Sequence, residues 1–86
     1  MTNDQQFIIY LIKKIDLTIE CDIADSTTSV YIGDHHARVW LYDGEICYNN
    51  GTSMSSERYS LANPDADPVK WLRKMIRNFN SPMWAR

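Results

Sequence analysis

Apolar and polar positions change their period along this chain, and each change marks an element. Phe7, Ile8, Leu11, Ile12 and Ile15 share one arc at helical spacing, which predicts a helix over 4–15. Asn3 or Asp4 can cap its start, and Lys13 and Lys14 suit the negative end of its dipole. A strand competes for this stretch, because Ile and Tyr favour strands. Over 16–23 the period falls to two. Leu17, Ile19, Cys21 and Ile23 point one way, and Asp16, Thr18, Glu20 and Asp22 the other. That pattern predicts a half-buried strand with an acidic outer stripe.

The run Ala24 to Thr27 reads as a loop. A second strand is expected over 28–32, with Val30 and Ile32 inward and Ser29 and Tyr31 outward. The chain then turns at Gly33-Asp34 or at Asp34-His35. Asp43-Gly44 lies between two alternating runs and predicts a two-residue hairpin turn, since both turn residues need positive φ. That turn sets Tyr42 opposite Glu45, Leu41 opposite Ile46, Trp40 opposite Cys47 and Val39 opposite Tyr48. One face of the hairpin collects Ala37, Val39, Leu41, Ile46 and Tyr48 as core. The other collects Arg38, Trp40, Tyr42, Glu45 and Cys47. Tyr31 joins this second face for either position of the preceding turn.

Residues 49–56 are small and polar and read as a mobile loop, and 57–61 can return as a short edge strand. Asp67 followed by Pro68 is a good helix start. Val69, Leu72, Met75, Ile76 and Phe79 then form an apolar arc, while Lys70, Arg73, Lys74 and Arg77 form the neighbouring basic arc. Asn80-Ser81-Pro82 ends the helix, and Trp84 in the tail either folds back or hangs free. Together these runs predict an α+β fold over one domain, residues 1–86. It is an antiparallel three- to four-stranded meander with the N- and C-terminal helices packed on one face, in the order α-β-β-β-(β)-α.

Composition narrows the function classes. A net charge of −2 does not suggest a general nucleic-acid binder. Cys21 and Cys47 are too few for a disulfide framework and fall on opposite faces of the pattern, so free thiols and a cytoplasmic setting are expected. The start lacks the basic segment of a signal peptide, and the apolar run Phe7 to Ile12 is too short to span a membrane. Asn50-Gly51-Thr52 matches a glycosylation acceptor but reads as a turn.

Catalytic motifs are missing: no nucleophile elbow, phosphate loop, zinc-protease motif or Cys-x-x-Cys occurs. His35 and His36 are adjacent and would point apart on a strand, so they make no metal site alone. Cys47 with His36 on the outer face suggests a thiol nucleophile, but no third orienting group is visible. Neither an enzyme nor a cofactor is therefore expected.

Three surfaces remain as candidates. Asp16, Glu20 and Asp22 read as a solvated strand face or as a patch steering a basic partner protein, widened by Asp25, Asp34, Asp43 and Glu45. Tyr31, Arg38, Trp40 and Tyr42 are the residue types that anchor interfaces, or they pack under the tail or a homodimer mate. Lys70, Arg73, Lys74 and Arg77 suit phosphate, or they complement the dipole of their own helix.

The α-β-β-β-α order over roughly residues 4–80 resembles the double-stranded-RNA-binding domain. That family carries a Gly-Pro-x-His loop and a Lys-rich start to its last helix. Here the loops are Gly-Asp-His-His and Asp-Gly-Glu, and the helix opens Asp-Ala-Asp-Pro-Val-Lys. Small size, the Glu20/Asp22 stripe, the Trp40/Tyr42 face and the missing catalytic motifs are similar to small phage-encoded inhibitors of the anti-CRISPR type. The resemblance implies a non-enzymatic inhibitor or adaptor that occupies a surface of a nucleic-acid-handling complex. Direct nucleic-acid binding, through the basic helix or the sheet aromatics, and a structural homo-oligomer are the alternatives.

Overall fold

The computed structural model describes residues 1–23, 28–32, 37–51 and 56–79, with the backbone alone for Asn78 and Phe79. Among these, two helices and five strands follow in the order α1 (Asn3–Ile15), β1 (Cys21–Ile23), β2 (Val30–Ile32), β3 (Ala37–Tyr42), β4 (Glu45–Asn49), β5 (Glu57–Ser60) and α2 (Pro68–Phe79). The strands form one antiparallel meander in sequence order. The α+β meander expected from the sequence is thus present with five strands, and β5 is the short edge strand expected over 57–61. No described helix is long and apolar enough to cross a membrane.

The register assigns the faces. Tyr42 pairs with Glu45, Leu41 with Ile46, Trp40 with Cys47 and Val39 with Tyr48, as the hairpin pattern required. Asp43 at φ 53° and Gly44 at φ 75° supply the two left-handed turn residues. Tyr31 pairs with Arg38, and the turn expected at Gly33-Asp34 or Asp34-His35 lies outside the described residues. Ile32 therefore stands beside Ala37 and Val30 beside Val39. Ile8, Leu11 and Ile12 of α1 and Leu72 and Met75 of α2 close over Val30, Ile32, Ala37, Val39, Ile46 and Tyr48 in one cluster. Both helices therefore lie on the same sheet face. Each large aliphatic side chain buried there contributes about 1.5–3 kcal/mol.

Several expectations need correction. The cap of α1 is Thr2, whose hydroxyl accepts from Gln5 N–H at 3.1 Å while its own N–H donates to Gln5 Oε1 at 2.9 Å. Gln5 is buried, and its Nε2 donates to the Ser29 carbonyl at 3.2 Å, tying α1 to the entry of β2. Ser29 is accordingly buried rather than outward. Phe7 lies outside the core cluster and is 37% exposed. On the helical wheel it sits about 100° from Ile8, whereas Gln5 sits about 60° from it on the core side.

The first strand starts at Cys21 rather than at Asp16. Asp16 instead caps the C-terminus of α1, and its Oδ1 accepts from the Thr18 N–H at 2.9 Å and the Thr18 hydroxyl at 2.7 Å. Lys13 Nζ donates to the carbonyls of Leu17 at 3.1 Å and Ile19 at 2.6 Å. These local partners satisfy backbone groups that a strand would otherwise pair, so a period-two pattern does not become a strand. Leu17, expected inward, is 78% exposed in consequence.

β5 is held from α2. Tyr59 stacks on Trp71 with centroids 5.4 Å apart, and its hydroxyl accepts the Asp67 N–H at 2.8 Å. Asp67 also caps α2 through Lys70 N–H at 3.1 Å, as its position before Pro68 predicts.

Candidate functional site

With both helices on one face, the opposite face of the sheet carries side chains that neither helix covers. Across the strands it runs Asp22, Tyr31, Arg38 and Asn49 in one row. Trp40, Cys47 and Arg58 form the next, and Tyr42, Glu45 and Ser60 the third. The expected set Tyr31, Arg38, Trp40 and Tyr42 is therefore brought together, on β2 and β3. Arg38 lies over the Trp40 ring with its guanidinium carbon 4.3 Å from the centroid, a stacked cation that orients both groups. Tyr42 is 65% exposed, whereas Tyr31, Arg38 and Trp40 are half-buried. Arg58 and Glu45 form a loose ion pair at 4.0 Å beside them.

Cys47 belongs to this face by register, yet it is buried between Trp40 and Arg58 on the flanking strands. Burial pushes its thiol above the usual range, and Glu45 adds to the effect while Arg58 opposes it. A thiol held protonated is a poor nucleophile. His36, the base considered for it, lies outside the described residues, as does His35.

The acidic stripe is not assembled as the sequence pattern suggested. Asp16 sits in the turn after α1, where its bonds to Thr18 hold its carboxyl below the usual carboxylate range. Only Asp22 lies in β1, and Glu20 precedes it, both exposed. Asp43 and Glu45 belong to the distant hairpin, and Asp25 and Asp34 lie outside the described residues.

The basic helix acquires a partner that sequence reasoning missed. Lys70, Arg73, Lys74 and Arg77 are all exposed along α2 and line a groove of about 560 Å³ together with Asp67, Tyr59 and Trp71. Trp71 falls on α2 beside the basic arc, and Tyr59 is the single aromatic of β5. Those two facts were readable, but only the β5–α2 contact joins them. Dipole complementation accounts poorly for this set, because Arg77 alone stands in the last turn and Lys70 stands in the first. Among the described residues none of the four cations makes an ion pair. In that same set, no three His, Cys, Asp or Glu side chains converge to hold a metal.

Fold and surface together define an α+β domain with one sheet face roofed by helices, an aromatic opposite face and a cationic groove at one side. Compared with known proteins, the chain matches no family model, and no curated protein or solved structure matches it.

Proposed function

We propose that this chain is a non-enzymatic binding protein that occupies a surface of another protein through the helix-free face of its sheet. The observation that carries this reading is the registered cluster of Tyr31, Arg38, Trp40 and Tyr42. Aromatic and Arg side chains supply most of the energy of protein interfaces, and they act best when held rigidly before contact. Here a sheet backbone and the Arg38–Trp40 contact hold them. Exposed Glu20 and Asp22 lie at the β1 side and would steer a basic partner toward the face. Size, this sidedness and the lack of catalytic motifs favour a phage or mobile-element inhibitor, of the anti-CRISPR kind, directed at a nucleic-acid-handling complex in the cytoplasm.

The test is co-purification of the tagged protein from a bacterial host with nuclease added, comparing wild type with Trp40→Ala. A partner protein retained by wild type and held at least tenfold more weakly by the variant supports the reading. Equal retention by a Trp40→Ala protein with an unchanged circular dichroism spectrum refutes the anchor. A tight homodimer of wild type that Trp40→Ala dissociates would replace it with self-association through the same face.

A further inference from the structure

We infer that the groove between β5 and α2 is a second binding site, and that it takes a short single-stranded nucleic-acid segment. The proposal is independent of the sheet face. It rests on charge sidedness together with aromatic surface in the same groove.

The groove takes four of the chain's nine Lys and Arg residues but only one of its eleven Asp and Glu residues, so its lining carries +3 and the rest of the chain −5. A weak net charge thus conceals a concentrated cationic site on an acidic body. The one carboxylate, Asp67, is already engaged as the cap of α2, accepting from the Lys70 N–H. Lys70, Arg73, Lys74 and Arg77 repeat at helical spacing and run about 10 Å along the axis. Four exposed like charges on neighbouring turns repel one another and gain nothing from each other. An anionic ligand that bridges them removes that repulsion.

A carboxylate-rich peptide would satisfy charge alone. The aromatic wall distinguishes the ligand. Tyr59 and Trp71 line the groove as a near-parallel stack with 17° between rings. The stack is fixed from both sides, by the Tyr59 hydroxyl on the Asp67 N–H and by packing of both rings against the core. A flat base laid against this wall continues the stack, while its phosphates reach the cations one helical turn apart. Stacking walls beside a cationic track are the means by which proteins hold single strands without reading sequence. In a duplex the base faces are covered by their neighbours, so the aromatic wall would be wasted on it.

The test is fluorescence anisotropy of a labelled twelve-residue oligothymidylate titrated with the whole protein at 50 and 200 mM salt. With four phosphate contacts the affinity should fall about 50-fold over that interval, since each contact on a single strand contributes a slope of about 0.7. Lys74→Ala with Arg77→Ala, both solvent-exposed, should weaken binding and lower the slope by about 1.4. Trp71→Leu should weaken binding about tenfold at an unchanged slope, and Trp71→Phe should restore most of it. Trp40→Ala should bind the oligonucleotide as wild type does, so failure here leaves the sheet-face reading standing, and the reverse. No binding at 50 mM salt overturns the proposal. Equal or tighter binding of a duplex overturns the single-strand assignment. Competition by polyglutamate as effective as that by unlabelled oligonucleotide assigns the groove to an acidic protein instead.

Discussion

Gly44→Ala isolates one term of the hairpin that places Trp40 and Tyr42. Gly44 has φ +75°, and a Cβ built there meets no atom within 4 Å. The substitution therefore adds no clash and removes no packing. What remains is the left-handed backbone, which costs an L-residue about 1–2 kcal/mol. A stiffer unfolded chain returns part of this, about 0.4–1 kcal/mol. The expected net loss is about 1 kcal/mol, which in a domain of this size lowers the thermal midpoint by about 4–8 °C. Thermal and urea unfolding followed by circular dichroism measure it. Asp43→Asn is the control: Asn tolerates the left-handed region at φ 53° well, so the midpoint should hold or rise slightly. An unchanged midpoint for Gly44→Ala would mean that the turn is not left-handed at this position, and the registry of Trp40 and Tyr42 would lose its basis. Binding measured per folded molecule should be unaltered in both variants.

Two further outcomes are expected from buried polar groups. Gln5→Leu keeps the side-chain volume but removes the bonds to Thr2 N–H and the Ser29 carbonyl, and should cost about 1.5–3 kcal/mol in urea unfolding. Gln5→Glu keeps the acceptor for Thr2 yet buries a charge that cannot donate to Ser29, so it should destabilise more than Leu at neutral pH; the opposite order would contradict the burial of this side chain. Burial pushes the Tyr48 phenol from 10.0 up to about 12, so the unfolded chain ionises there before the folded one. Its contribution is intact below pH 10 and is lost as pH rises toward 12, and Tyr48→Phe should escape that loss. A Tyr48→Phe midpoint that tracks wild type throughout this window would contradict the burial of the hydroxyl.

Local pattern was sufficient wherever one element carried its own reason. The hairpin register followed from Asp43-Gly44 because positive φ is a property of single residues, and the alternation on either side then assigned both faces. α2 was legible from Asp67-Pro68 and its apolar arc for the same reason. Thr2 was missed as a cap although the Thr-x-x-Gln capping box was present, because Asn3 and Asp4 compete for that role locally.

The aromatic set of the sheet face was visible in advance, since face membership needs only parity across two turns. The extent of the first strand was not visible. Asp16 and Thr18 alternate with Leu17 and Ile19 as strand residues do, and only their three-dimensional bonds, with those of Lys13, show that they close a turn. Cys47 shows the same limit, because parity places it outward while flanking strands decide its burial. The groove was the least legible feature. Lys70, Arg73, Lys74 and Arg77 were found by spacing, but Tyr59 and Trp71 lie twelve residues apart on different elements. Spacing along one chain segment determines which side chains share a face. Which faces meet is set by how the chain closes its core, and that decision belongs to the tertiary structure.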